Sequence, residues 1–244
     1  MTLCISAAGV SLAENKPDAE LPPPSSDPVN PVPRDRDYPW MSLAHWNATH
    51  AANVAEAAKG EAELVFQGDS ITDMSRGSES WKKTFASYRY ATFGIGGDRI
   101  QNVLWRLEHG EIGALKPKLV VLLIGTNNIG TTSDDVGDIT RGVKAVVDKL
   151  RAGHPSAKIL VLGIFPREEK ADAPVRTTIA KINVMLARQL DDGKTVFVRD
   201  IGKVFLEADG TLSTAVSADH LHLTEEGYRR WAEAIAPTVK ELTQ

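Results

Sequence analysis

The chain of 244 residues holds a single cysteine, Cys4. One thiol excludes an intrachain disulfide framework and a zinc site built from several cysteines. Long apolar runs are missing too. No stretch of 18 apolar residues exists, so the sequence predicts no membrane-spanning helix. Charge of one sign is not in excess: 28 Lys and Arg stand against 32 Asp and Glu, a formal net charge of −4. That balance argues against a broad electrostatic footprint for nucleic acid or an anionic membrane surface. Aromatic residues are sparse at 6%, yet hydrophobic residues reach 42% and charged residues 25%. The body therefore has the composition of a globular domain with a sizeable core, and its length suits one large α/β domain better than two small ones.

What is present is unevenly spread. More than half of the 13 prolines crowd into residues 14–37, with Asp, Ser and Asn between them. Such a stretch predicts an extended, polyproline-like linker, and the folded body is expected from Tyr38-Pro39-Trp40 through 244. Ahead of it, Thr2 to Ala13 has the apolar core of a signal peptide, with small residues before Glu14 but no basic n-region. The segment 1–37 thus reads as a signal-like start plus a linker. Export, periplasmic or secreted, is the favoured reading; a disordered tail on a cytoplasmic chain is the alternative, and a lipid anchor on Cys4 a third.

Beyond residue 60 a βα rhythm sets in. Candidate strands are Glu63–Gln67, Tyr90–Phe93, Leu119–Ile124, Lys158–Gly163 and Thr195–Arg199. Several are unbroken apolar runs, as expected when both faces of a parallel sheet are covered. Helical patterns lie before and between them. One spans 42–59, with Leu43, Trp46, His50 and Val54 at helical spacing; His45 and His50 read as packing or solvent-facing. Another carries Ile100, Val103, Leu104 and Leu107, where Trp105 packs and Arg106 snorkels to water. A third opens at Ser133, carries Val136, Ile139, Val143, Val146, Val147 and Leu150, and stops at Gly153-His154-Pro155. The last two follow Pro174 and Thr224. The pattern predicts a three-layer α/β/α domain, a flavodoxin-like open parallel sheet of about five strands, with its site beyond the strands' carboxyl ends.

Four motifs fall just there. Gly68-Asp69-Ser70 ends the first strand, and Ser70 suits either a nucleophile or a helix N-cap. It is not a G-x-S-x-G elbow, since Thr72 stands where the second glycine would be. Phe93-Gly94-Ile95-Gly96-Gly97-Asp98-Arg99 follows the second strand. It fails as a dinucleotide fingerprint, but the Gly97 amide is a reasonable oxyanion donor and Asp98 a candidate cap. Gly125-Thr126-Asn127-Asn128 ends the third strand. Asn127 can offer its amide to an oxyanion or close an Asx-turn. Near the chain's end, Asp219-His220-Leu221-His222 spaces a carboxylate and an imidazole so that one tight turn points both to one side. The alternative readings there are surface histidines or a zinc site using Asp219, His220 and His222. Arg167, in Phe165-Pro166-Arg167-Glu168-Glu169-Lys170, reads as part of a solvated charge cluster.

In this order, these motifs resemble those of the SGNH (GDSL-type) hydrolase superfamily over about residues 60–240. The branch most similar includes the catalytic subunits of intracellular platelet-activating-factor acetylhydrolase and related bacterial carbohydrate esterases. Val103-Leu104-Trp105-Arg106-Leu107, Gly163-Ile164-Phe165-Pro166-Arg167 and His222-Leu223-Thr224 carry the closer likeness. The resemblance implies Ser70 as nucleophile, Asp219 and His222 as its triad partners, and an oxyanion hole made by the Ser70 and Gly97 amides and the Asn127 side chain. It implies a serine esterase acting on short acyl esters, acetyl above all, without metal or cofactor. The expected partner is a small-molecule or carbohydrate ester, with a phospholipid acetyl ester as the alternative and a homodimer as the assembly to test. A metal-dependent phosphoesterase, a non-catalytic sugar-binding module and an acyltransferase stay as rivals.

Overall fold

The computed structural model describes residues 27–131 and 135–244. Its elements run α1 (Leu43–Lys59), β1 (Leu64–Gly68), α2 (Ser70–Met74), α3 (Glu79–Phe85), β2 (Tyr90–Gly94), α4 (Ile100–Arg106), β3 (Leu119–Leu123), α5 (Val136–Gly153), β4 (Lys158–Leu162), α6 (Pro174–Leu190), β5 (Val196–Arg199) and α7 (Glu225–Leu242). The strands form one parallel sheet in the order β2-β1-β3-β4-β5. That order reverses between β1 and β3, and a crevice opens at such a switch point beyond the carboxyl ends. The register sharpens this. Gly68 sits level with both Gly94 and Leu123, so the loops after β1, β2 and β3 all leave from one edge.

Successive side chains on a strand face opposite ways, and the sheet uses both sides. Val65, Val120, Leu122, Ile159 and Val161 meet the aliphatic faces of α4, α5 and α6. Leu64, Phe66, Leu119, Val121 and Leu160 meet Trp81 and Phe85 of α3 and Tyr228 and Trp231 of α7. Helix boundaries follow local chemistry. Ser42 Oγ accepts from the His45 amide to start α1, and Gly60, at φ +70°, ends it. Pro174 opens α6 in the first turn, where a missing N–H is harmless. Thr224 caps α7. The Ser133 start expected for the helix now labelled α5 lies outside the described residues; Asp135 is its cap, accepting from the Asp138 amide at 2.9 Å.

Two expectations need correction. Residues 27–37, read as linker, lie against the domain: the Val32 amide donates to Gln101 O, and Arg34 is 6% exposed. A guanidinium with buried acceptors within reach holds a proline-rich strap that has no apolar core of its own. Arg106 does not snorkel. It is fully buried because Asp98 and Glu111 supply counter-charges inside the fold. The signal-like residues 1–17 lie outside the described residues. No described helix is long and apolar enough to cross a membrane.

Candidate active site

Ser70 is the first residue of α2, one step past the end of β1. The turn is tight. A Cβ on Gly68 would strike Thr72 Oγ1 and the Leu123 carbonyl, so glycine lets α2 begin directly over the strand end. Asp69 accepts from the Ile71 amide at 3.0 Å and caps the helix. Tyr228 of α7 donates its hydroxyl to the Ile71 carbonyl at 2.7 Å, tying the start of α2 to the last helix. The side chain of Ser70 is thereby aimed by four residues that are not themselves reactive.

His222 arrives from the other end of the chain. Asp219 Oδ1 accepts from the amides of Leu221 and His222, at 3.0 and 2.7 Å, which winds residues 219–222 into one turn. Its Oδ2 lies 2.7 Å from His222 Nδ1, and His222 Nε2 lies 3.0 Å from Ser70 Oγ. Burial works against the charge of Asp219. The hydrogen bonds from the His222 ring and from the His222 and Leu221 amides outweigh it and hold the carboxyl below its ordinary value. A charged carboxylate on Nδ1 fixes the tautomer that leaves Nε2 free to take a hydroxyl proton. His220 takes no part. At φ 57° its ring turns aside, with Nδ1 2.9 Å from Leu212 O, so the three side chains of the zinc reading do not converge.

The third side is made by the loops after β2 and β3. Gly97 stands at φ +70°, and a Cβ there would run into the Trp40 ring. Both the backbone angle and the close approach call for glycine. Asn127 donates one amide hydrogen to Asp98 O at 2.9 Å, which fixes the group and leaves its second N–H. Among the described residues neither the Ser70 nor the Gly97 amide has a protein acceptor. A cavity of about 470 Å³ brings Ser70, His222, Gly97 and Asn127 together, with Met41, Met74 and Leu221 as apolar walls. A hydroxyl, its base and a set of fixed amide donors around one apolar pocket can attack a carbonyl and hold the oxyanion that forms.

A match to the GDSL-like lipase/acylhydrolase family model covers residues 66–230. The chain belongs to this family. It is a carboxylic ester hydrolase. The chain is 37% identical over 205 residues to platelet-activating factor acetylhydrolase IB subunit alpha1 of Bos taurus, covering 84% of each. Among solved structures it resembles an acetyl xylan esterase, with a TM-score of 0.62 and 24% identity, covering 72% of this chain and 98% of the other. It also resembles a carbohydrate esterase family 3 protein from Talaromyces cellulolyticus, with a TM-score of 0.58 and 19% identity, covering 74% and 97%. At such identities these two likenesses show the fold.

The acylhydrolase has a buried ionic layer beneath its glycine turn, which the sequence reading overlooked. Asp98, expected as a helix cap, is fully buried. It accepts from Trp46 Nε1 at 2.7 Å and pairs with Arg106 at 2.8 Å and Arg34 at 3.4 Å. Arg34 also donates to Gly96 O at 2.6 Å. Arg106 reaches Glu111 at 2.5 Å and donates to Gly68 O at 2.9 Å. Glu111 takes further bonds from Asn53 and Gln67, and His50 lies 3.4 Å away. Burial opposes the charge of Glu111, but Arg106 and these donors hold its carboxyl well below the ordinary range. Arg106 thus ties the end of β1 to the loop that carries Gly97. The signal for it was an arginine among buried apolar neighbours on a helix. Arg167 also departs from expectation. It is half-buried and donates to Thr126 O at 3.0 Å, bracing the loop that presents Asn127. Trp40 and Met41, which the proline-rich strap delivers to the pocket, carried no signal in the sequence at all.

Proposed function

We propose that the chain is a serine esterase that cleaves short acyl esters, acetyl esters above all, through an acyl-enzyme. Ser70 is the nucleophile, His222 the base and Asp219 the group that orients and charges the imidazole. His222 takes the Ser70 proton as Oγ bonds to the ester carbonyl carbon. The Ser70 and Gly97 amides and Asn127 receive the negative oxygen. The tetrahedral carbon then expels the alcohol, which takes the proton from His222, and water repeats the sequence to free the acid. One observation carries the reading: the 3.0 Å contact from Ser70 Oγ to His222 Nε2, continued at 2.7 Å to Asp219.

The alcohol is a carbohydrate in the reading we favour, and an acetyl xylan esterase shares this fold. A phospholipid acetyl ester is the second reading, because the 37% identical relative carries the name of a platelet-activating factor acetylhydrolase. Ser70→Ala is expected to lower kcat on p-nitrophenyl acetate by about 10³-fold or more. The circular-dichroism spectrum stays that of the parent. A fluorophosphonate should add one equivalent of mass to the parent and none to the variant. Retained turnover or labelling by Ser70→Ala removes Ser70 from the role.

A further inference from the structure

Among the described residues, two that are not glycine hold a positive φ: Glu168 at 66° and His220 at 57°. They are far apart in the chain and bonded to each other, the Glu168 amide donating to His220 O at 2.9 Å. A left-handed residue with a Cβ is strained, and such strain collects where a fold needs a geometry that ordinary backbone does not give. His220 stands inside the turn from Asp219 to His222. Glu168 stands in the loop between β4 and α6.

That loop reaches both sides of the pocket at Ser70. On one side Arg167 donates to Thr126 O at 3.0 Å and to Ile129 O at 3.3 Å, so its guanidinium grips the backbone before and after Asn127. On the other side the Glu168 amide holds the turn of His222. There the His220 ring donates to Leu212 O at 2.9 Å and the Leu212 amide to Glu169 O at 2.9 Å, which closes a ring of bonds. Two adjacent residues, Arg167 and Glu168, thus link the loop of Asn127 to the turn of His222.

What holds the link is Arg176, in the first turn of α6. Its Nε donates to Arg167 O, and its Nη2 to Glu168 O at 2.6 Å. The φ and ψ of Glu168 set the angle between these two carbonyls. The left-handed values turn both to one side, where a single guanidinium fork takes them. We propose that Arg176 is a positioning residue for ester cleavage: by fixing the bend at Glu168 it sets the Asn127 loop and the His222 turn at the spacing the reaction needs. Arg176 is not among the residues that line the pocket at Ser70 and works through Arg167 and Glu168. This role rests on the esterase reading above for Asn127 and His222. A misplacement of about 1 Å at such groups can cost about 10²-fold in rate.

The test uses the full chain with p-nitrophenyl acetate and compares the parent, Arg176→Gln, Arg176→Lys, Glu168→Gly and the double variant Glu168→Gly with Arg176→Gln. Arg176→Gln is expected to lower kcat about 10- to 100-fold and to leave KM within about twofold. Arg176→Lys should fall between it and the parent, since it keeps the charge and loses the fork; should the glutamine variant not fold, the lysine variant carries the same comparison. Glu168→Gly keeps both bonded backbone groups and removes the Cβ that opposes the left-handed bend. Alone it should stay within about twofold of the parent in kcat, and in the double variant it should recover part of the loss. Hydrogen–deuterium exchange is read on the same proteins. Peptides covering 125–131 and 219–222 should exchange faster in Arg176→Gln, while those of β1 and α3 match the parent. An unchanged kcat overturns the proposal. So does a double variant without recovery, because simple support of α6 would not depend on residue 168, and so does a loss of kcat with parental exchange in the two segments. If Ser70→Ala keeps its turnover, the esterase reading falls, and exchange still decides the link: faster exchange in both segments keeps it, and parental exchange ends it.

Discussion

On one face of the sheet, α4, α5 and α6 lay aliphatic side chains over Val65, Val120 and Ile159. On the other, α3 and α7 stack Trp81, Phe85, Tyr228 and Trp231 around Phe66. Each face carries a different part of the site. The aromatic face holds α7, whose lead-in turn contains Asp219 and His222 and whose Tyr228 grips the start of α2. The aliphatic face holds α4, whose lead-in loop contains Gly97, and below it lies the layer of Asp98, Arg106 and Glu111. Ser70 stands at the strand end between them. The comparison teaches a division of labour. Large rings, with few rotatable bonds and broad contact, position His222, the base we propose. Charge, with fixed hydrogen-bond directions, positions the loop of Gly97, whose amide we propose as an oxyanion donor.

Breaking the ionic layer is the severest test of that division. Arg106→Met leaves Asp98 and Glu111 buried without their cation and releases Gly68 O. Removal of one partner from such a group typically costs about 3–5 kcal/mol. Urea denaturation should show a loss of that size, and the fraction that stays folded should lose kcat more than KM. An Arg106→Met variant as stable and active as the parent would reduce the layer to filler.

The aromatic face is broken by Trp231→Ala, which empties the space that contacts Trp81 at 4.5 Å and Phe165 at 5.1 Å between ring centroids. Such truncations cost about 3–5 kcal/mol, less where neighbours collapse into the void. The activity that remains should fall through His222, so hydroxylamine, which attacks acyl groups without a base, should recover little if the acyl-enzyme no longer forms. Trp231→Phe is expected to keep most of both stability and rate.

The smallest effect falls at the strand end itself. Asp69 is fully buried, and burial pushes its carboxyl up to about 7, against 3.8 ordinarily, with the Ile71 amide opposing. Between those values the folded chain keeps a proton that the unfolded chain has lost. The stability contributed by Asp69 is therefore whole below about 4 and declines as pH rises through about 7. Asp69→Asn preserves the acceptor for the Ile71 amide and removes the titration. Melting temperatures across pH 4 to 8 should vary less in the variant than in the parent; an identical pH dependence would place the titration elsewhere.

Much of this molecule was open to reading from residue order, and the reason is periodicity. Apolar runs such as Leu119–Leu123, helical stripes such as Ile139-Val143-Val146-Leu150, and caps such as Thr224 follow local rules that need no knowledge of the partner. Strand ends came out within a residue or so, as at Leu119–Leu123 against the expected Leu119–Ile124. The motifs that meet at the pocket were legible for a related reason: in a parallel sheet every chemistry-bearing loop must leave from the same edge. The errors cluster where long-range pairing overrides local preference. Arg106 was expected to reach water, Asp98 to cap a helix and Arg167 to sit in solvent; Asp98 and Arg167 are instead held by partners far along the chain, and Arg106 by Asp98, Glu111 and the distant Gly68 carbonyl.

Order alone thus established a doubly wound sheet, the edge at which the chemistry gathers, and a hydroxyl, an imidazole and a carboxylate able to meet there, because strand and helix patterns and their loops obey neighbour-range physics. It took the packed molecule to reveal that a proline-rich strap brings Trp40 and Met41 to the pocket and that Arg34, Asp98, Arg106 and Glu111 form one buried layer. A charge finds its counter-charge through space, and distance through space is not written along a chain.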